Sequence, residues 1–366
     1  MTITLDTVTG DNIDTPDWWQ GPTVLLGTGQ SVHVLALDGW NNRLRYHGCS
    51  SACDEAAHWL NATVDSAPFG YSQYSIGAVL TSAGISVVYS SQEAIRYLHC
   101  GSGCDATSHW SATTLFPGSV LLDHAGWVPS HDTPLAADGA GGLHLLFLSS
   151  QGQLLHYAFC GGACDAQASW QDVALDSSAS ALSGSARLIA VAPGGGVHVL
   201  YGSSAGLMHA ACSANCLAAS SWRYEVVGGT SIQGTLRVVA LAFGPDGRLH
   251  VASADQSTTV RYATCGAPCS APGTWSVASL PHTTTDVGLA VNRAGRVYLA
   301  TTDRTVVVSR CAASCLDRAA WQSVAVDAAL GDGRVAIAAD TTDRVRVASS
   351  HGEWPMILQL SLAAGP

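Results

Sequence analysis

Six copies of one pattern dominate the chain: two cysteines four positions apart, then a tryptophan six positions after the second. They are Cys49/Cys53/Trp59, Cys100/Cys104/Trp110, Cys160/Cys164/Trp170, Cys212/Cys216/Trp222, Cys265/Cys269/Trp275 and Cys311/Cys315/Trp321, and they take in all 12 cysteines. The first cysteines of successive copies are 51, 60, 52, 53 and 46 residues apart. Such a unit cannot bury its own apolar face; it stacks on its copies in an array or a ring.

Each unit reads as four short strands. In the third, an apolar run Thr133 to Asp138 and a glycine turn precede a strand Leu143 to Leu148. A Ser-Gln-Gly turn, a strand Leu154 to Phe159, the cysteine pair and a strand from Trp170 to Leu175 follow. The fourth repeats this with Arg187 to Ala192, Val197 to Tyr201, Leu207 to Ala211 and Trp222 to Val227. Four strands joined by turn chemistry make an antiparallel propeller blade. A seventh unit lacks cysteines and offers only Val335 to Ala339, Val345 to Ala348 and Met356 to Leu362. Thr2-Ile3-Thr4-Leu5-Asp6 resembles the fourth strand Asp172 to Asp176, so the N-terminal strand is expected to complete that blade and close the ring. The expectation is an all-β, seven-bladed β-propeller forming one domain over residues 1–366. Its blades fall at about 20–65, 66–116, 131–176, 184–228, 235–280, 285–327 and 333–362 with 2–8.

Composition agrees. Only 12% of the 366 residues are charged, and lysine is absent, so Schiff-base chemistry and a Walker-A phosphate loop are excluded. A net charge of -11 argues against a nucleic-acid partner held through its phosphates. No stretch is apolar for the roughly 18 residues a membrane helix needs.

The chain resembles sialidase-like repeat propellers. Ala242-Phe243-Gly244-Pro245-Asp246-Gly247-Arg248-Leu249-His250-Val251 and Val260-Arg261-Tyr262-Ala263-Thr264-Cys265 carry the likeness, as does the Cys-x3-Cys…Trp segment where that family often has its Asp-box turn. The resemblance covers nearly the whole chain and implies the architecture. The Asp-box pattern and the family's N-terminal arginine motif are absent, so neither its arginine triad nor its tyrosine nucleophile maps onto any residue here. Seven-bladed fucose-binding bacterial lectins are similar in architecture too.

The cysteine pairs read as local disulfides pinning the turn between third and fourth strands. Zinc wants four ligands and each unit offers two, so no metal and no other cofactor is expected. Six bridges imply an oxidising, secreted or periplasmic setting, although no signal peptide precedes the first strand. The motif tryptophans should pack between blades. His33, His144, His198 and His250 recur on second strands, and His99, His156 and His209 on third strands, which suggests structural partners.

Subtracting the repeat leaves Trp18, Trp19, Trp40, Trp127 and Trp354, with Tyr71 and Tyr74, all in segments that join blades or join second to third strands. Those segments share one face of a propeller, and this set maps to blades seven, one, two and three. Loops on a rigid scaffold carry function, and clustered aromatics mark a ligand surface. A small-molecule or glycan ligand is therefore expected there, with His124 among its contacts. His131, Asp132 and Glu353 are the candidate acid–base groups if the pocket is catalytic, as in a glycoside hydrolase, a lyase or a natural-product tailoring enzyme. A protein-interaction scaffold is the remaining alternative.

Overall fold

The computed structural model describes residues 2–8, 19–38, 41–66, 75–91, 94–119, 134–149, 154–176, 187–203, 206–228, 236–255, 258–266, 269, 274–303, 305–327, 334–340, 342–350 and 356–364. These residues form seven four-stranded antiparallel sheets. Blade one is β2 (Trp19–Leu26), β3 (Val32–Asp38), β4 (Arg43–Cys49) and β5 (Leu60–Asp65). Blade two is β6 (Ile76–Thr81), β7 (Gly84–Ser90), β8 (Ile95–Cys100) and β9 (Ser111–Leu115). Blade three is β10 (Leu135–Ala137), β11 (Leu143–Leu148), β12 (Leu155–Cys160) and β13 (Gln171–Asp176). Blade four is β14 (Arg187–Val191), β15 (Val197–Ser203), β16 (Gly206–Cys212) and β17 (Arg223–Val226). Blade five is β18 (Leu236–Phe243), β19 (Leu249–Asp255), β20 (Thr259–Cys265) and β21 (Trp275–Thr283). Blade six is β22 (Asp286–Val291), β23 (Val297–Thr302), β24 (Val306–Cys311) and β25 (Gln322–Asp327). Blade seven is β26 (Arg334–Ala339), β27 (Arg344–Ser350) and β28 (Met356–Ala364), completed by β1 (Thr2–Val8), with Thr2 paired to Ser361 and Val8 to Met356.

The first strands β2, β6, β10, β14, β18, β22 and β26 pack in sequence, and β26 packs on β2, so the ring is closed. Small residues let these strands approach. A Cβ on Gly77 would lie 2.8 Å from Pro134 Cδ and 3.0 Å from the Leu135 nitrogen, and one on Gly288 would lie 3.1 Å from Ile337 Cγ2.

The core is not one mass but seven slabs, one between each pair of neighbouring blades. Leu35, Leu37 and Tyr46 of blade one meet Val87, Leu98 and Trp110 of blade two in one slab. Val34 and Ala36 meet Leu358 and Leu360 of blade seven in another. A blade is apolar on both faces, so each strand alternates between two slabs rather than between core and water.

Acidic residues near the ends of fourth strands tie blade to blade. Asp65 accepts from Tyr89 at 2.7 Å and from Arg96 at 3.0 Å, both of blade two. Asp176 accepts from Tyr201 of blade four at 2.6 Å. Asp6 does the same across the closure, accepting from Arg45 Nε at 3.0 Å. The N-terminal strand thus carries the same fastening as an internal fourth strand.

All six expected disulfides are present: Cys49–Cys53, Cys100–Cys104, Cys160–Cys164, Cys212–Cys216, Cys265–Cys269 and Cys311–Cys315. They suggest an oxidising environment. No helix among the described residues is long and apolar enough to cross a membrane.

Candidate functional site

The tryptophans do not open the fourth strand in most blades. A single 3-10 turn follows the cysteine pair, as at Ala56–His58 and Thr107–His109, and the tryptophan ends it one residue before the strand. There its indole N–H can donate to the carbonyl of the second cysteine: Trp59 to Cys53 at 3.1 Å, Trp110 to Cys104 at 2.8 Å, Trp170 to Cys164 at 3.0 Å, Trp222 to Cys216 at 2.8 Å and Trp321 to Cys315 at 2.9 Å. Four of these rings also meet a tyrosine of the preceding blade in a T-shaped arrangement. The pairs are Tyr46–Trp110, Tyr97–Trp170, Tyr157–Trp222 and Tyr262–Trp321, with centroids 5.2 to 5.9 Å apart. This geometry suits the ring quadrupoles.

The same tyrosines hold the second-strand histidines. His33 Nδ1 lies 2.7 Å from Tyr46 Oη, His144 Nδ1 2.8 Å from Tyr157 Oη, and His250 Nδ1 2.5 Å from Tyr262 Oη. In blade two Ser86 replaces the histidine and meets Tyr97 at 3.1 Å. Burial lowers the pKa of these histidines, to about 4 for His250, and raises that of Tyr46 to about 12, so both stay neutral near pH 7. His33, His144 and His250 thus each hold a tyrosine hydroxyl of their own blade, a structural partner of the kind their repetition suggests.

Blade four departs from this pattern. Tyr46 faces Leu35 and Tyr157 faces Leu146; the residue facing Leu200 at the matching place is His209. His198 Nδ1 now meets His209 Nε2 at 2.9 Å, and His209 Nδ1 meets Glu225 Oε1 at 2.9 Å. Glu225 stands beside His209 on β17, where other blades have Ala62, Thr113, Val173, Ala278 and Val324. Trp275 of blade five still packs edge-on, at 5.3 Å from the His209 ring, but its indole donates to Glu225 Oε1 at 2.9 Å. It is the motif tryptophan that lies within its strand.

The resulting cluster is dry. His209 is 1% and the Glu225 side chain 10% exposed. One Glu225 oxygen takes two donors, while Oε2 is buried with no partner among the described residues. One tautomer set satisfies the chain of contacts: His198 Nδ1–H donates to His209 Nε2, and His209 Nδ1–H donates to the carboxylate. Burial, then the neighbouring His209, holds the His198 pKa down at about 3, which keeps it neutral in that chain. Ligand atoms of His209, Glu225 and Cys269 lie within 4.8 Å of one another, and Cys269 is bonded to Cys265. What the repeat reading passes over is a cysteine of one blade meeting a histidine and a carboxylate of the next. Aligning the units on His209 and Glu225 would have exposed it.

The expected ligand residues Trp18, Trp40, Tyr71, Tyr74, His124, Trp127, His131, Asp132, Glu353 and Trp354 lie outside the described residues. Trp19, expected in a joining segment, instead begins β2; its side chain is outside the described residues too. The strand ends that flank these segments are described: β3 ends at Asp38, β5 at Asp65 and β27 at Ser350, all at the end of the ring opposite the cysteine turns. Buried polar groups collect at that end, among them Asp38, Ser75, Ser90, Arg187, Ser203 and Ser350. Asp286 sits there too. Its Oδ2 accepts from the Val335 N–H at 2.8 Å and joins blade six to blade seven.

No protein family matches the sequence, and no curated protein is similar to it. Solved structures share the fold at low identity. A polysaccharide lyase superposes with a TM-score of 0.57 at 9% identity, covering 98% of this chain and 92% of its own. A virginiamycin B lyase from Staphylococcus aureus, in an inactive form with quinupristin, gives 0.56 at 9% identity, covering 99% and 100%. A puromycin-hydrolyzing peptidase from Mycobacterium tuberculosis gives 0.54 at 15% identity over 91% of this chain; the chain spans 49% of that protein. At these identities the likeness is one of fold.

Proposed function

We propose that this protein is a secreted carbohydrate-binding propeller with one pocket on the blade-to-blade loop face, set towards blades seven, one, two and three. The observation that carries the reading is the uneven distribution of aromatics. Trp18, Trp40, Trp127 and Trp354 break the repeat and fall between strands whose described ends share one face of a closed ring, and Trp19 opens β2 at that face. Stacked rings suit the apolar faces of sugars, while His131, Asp132 and Glu353 suit their hydroxyls. A repeat-built lectin carries one site per blade; aromatics that do not repeat favour a single site instead. The polar ends of the second strands beneath that face fit a hydroxyl-rich ligand.

The test is a glycan array followed by titration of the best hit. Burying one ring on a sugar contributes about 1 to 2 kcal/mol, so Trp127→Ala or Trp354→Ala is expected to weaken binding about tenfold with an unchanged melting temperature. A ligand seated over blades four to six, or binding untouched by both changes, overturns the proposal. Turnover that Asp132→Asn abolishes while binding survives would make the pocket catalytic.

A further inference from the structure

We propose that His209, Glu225 and Cys269 form a reduction-gated binding site for a thiophilic divalent cation such as zinc, between blades four and five on the side of the cysteine turns. Three independent features point there. The donor set of imidazole, carboxylate and sulfur is one zinc accepts, and its atoms already lie within 4.8 Å of one another. Glu225 has an oxygen that is buried and has no partner among the described residues, on a side chain nine-tenths out of water. Leaving a carboxylate oxygen so is costly unless something takes it up. Finally, His198 at 2.9 Å fixes the far side of the His209 ring, the arrangement an outer partner gives a metal-bound histidine.

The same place differs from every other cysteine turn. In the other five, the tryptophan indole ties down the carbonyl of the second cysteine, and a 3-10 turn separates it from the strand. In blade five the indole is given to Glu225 instead. The substitutions Tyr to His at 209 and small residue to Glu at 225 occur together, in one blade, beside one cysteine pair.

The step balances with a dithiol as reductant. Exchange breaks the Cys265–Cys269 bond; the dithiol becomes a disulfide, and each cysteine takes up one electron and one proton. The cation then displaces the Cys269 thiol proton to solvent and gains Glu225 and His209 Nδ1 as further ligands; the Nδ1 proton passes to Nε2 as the ring changes tautomer, so that Nε2–H now donates to His198 Nδ1, whose own proton moves to its Nε2. Exchange with a small-molecule disulfide reverses the sequence: the Cys265–Cys269 bond re-forms, the added disulfide becomes two thiols, and the ion is released.

Cys265→Ser creates the Cys269 thiol without any reductant and leaves five disulfides in place. Its titration with cobalt(II) is expected to give one equivalent bound, with a thiolate-to-cobalt charge-transfer band. Cys49→Ser, which frees Cys53 in a blade lacking the histidine and the carboxylate, is the control and should bind at least about tenfold more weakly. Adding His209→Tyr, the residue that blades one, two, three and five carry there, or Glu225→Ala to Cys265→Ser should abolish the band. Uptake by Cys265→Ser no greater than by Cys49→Ser, or a band that survives His209→Tyr, overturns the proposal. If Cys265→Ser does not fold, wild-type protein reduced with a dithiol is compared with reduced His209→Tyr. One further equivalent in the wild type supports the site, and equal uptake overturns it.

Discussion

Tyr46, Tyr97, Tyr157 and Tyr262 each touch two neighbours: a histidine or serine of their own blade through the hydroxyl, and a tryptophan of the next blade through the ring face. The histidines are therefore kept neutral by the same packing that builds the interfaces, and this has a pH signature. Burial holds His198 at about 3 and His250 at about 4, below the usual 6.5. Between those values and the ordinary one, the unfolded chain binds more protons than the folded chain. Stability is then fully present above about pH 6.5 and is lost as pH falls towards 4, by about 1.4 kcal/mol per histidine per unit of depression. The melting temperature should be level from about pH 7 upwards and drop steadily below about 6.5. A protein that melts higher at pH 4.5 than at pH 7 would contradict the assignment of these rings as neutral and buried.

At the scale of the element, the cysteine turn is a clamp on five residues of chain. Closing so short a loop contributes about 2 kcal/mol at most by the chain-entropy account. Replacing both Cys100 and Cys104 by serine should lower the stability by about that amount, and with it the melting temperature, and leave ligand affinity unchanged, since the turn lies at the far end of the strands from the blade-joining segments. Loss of affinity at an unchanged melting temperature would show that the two ends are coupled. Much of this element is legible in the amino-acid order. Leu143 to Leu148 can be read to the residue as β11, because glycine turns bound an apolar run with no alternative period. The tryptophans are harder to place: a one-turn helix of small polar residues leaves no periodic trace, so Trp170 reads as part of β13 when it precedes it. Trp275 and Glu225 show the opposite failure. Six identical motifs invite one interpretation, and only the residue facing Leu200 reveals that one copy has changed partners. Of the aromatics that break the repeat, Trp19 opens β2 and the others lie outside the described residues.

Across the whole molecule, stability is shared by seven interfaces of one kind, one of which depends on residues from opposite ends of the chain. Asp6 and Asp65 fasten Arg45 and Arg96 with the same chemistry, but only Asp6 lies at the closure. Asp6→Asn and Asp65→Asn should each cost about 1 to 3 kcal/mol through a lost charge-assisted bond. They should differ in where the backbone amides exchange. Asp6→Asn should speed exchange along β1 and β28, leaving blades two to five protected, whereas Asp65→Asn should leave β1 and β28 as they were. Equal exchange at β1 and β28 in both variants would mean that the ring opens elsewhere. The pairing of Thr2 with Ser361 has a mechanical consequence. The outer ends of these two antiparallel strands leave the ring side by side, so tension applied through them loads the ladder one pair at a time instead of all pairs in shear. Pulled at its two ends, the ring is a zipper: it gives way first at β1, at low force, while the other six blades still hold together.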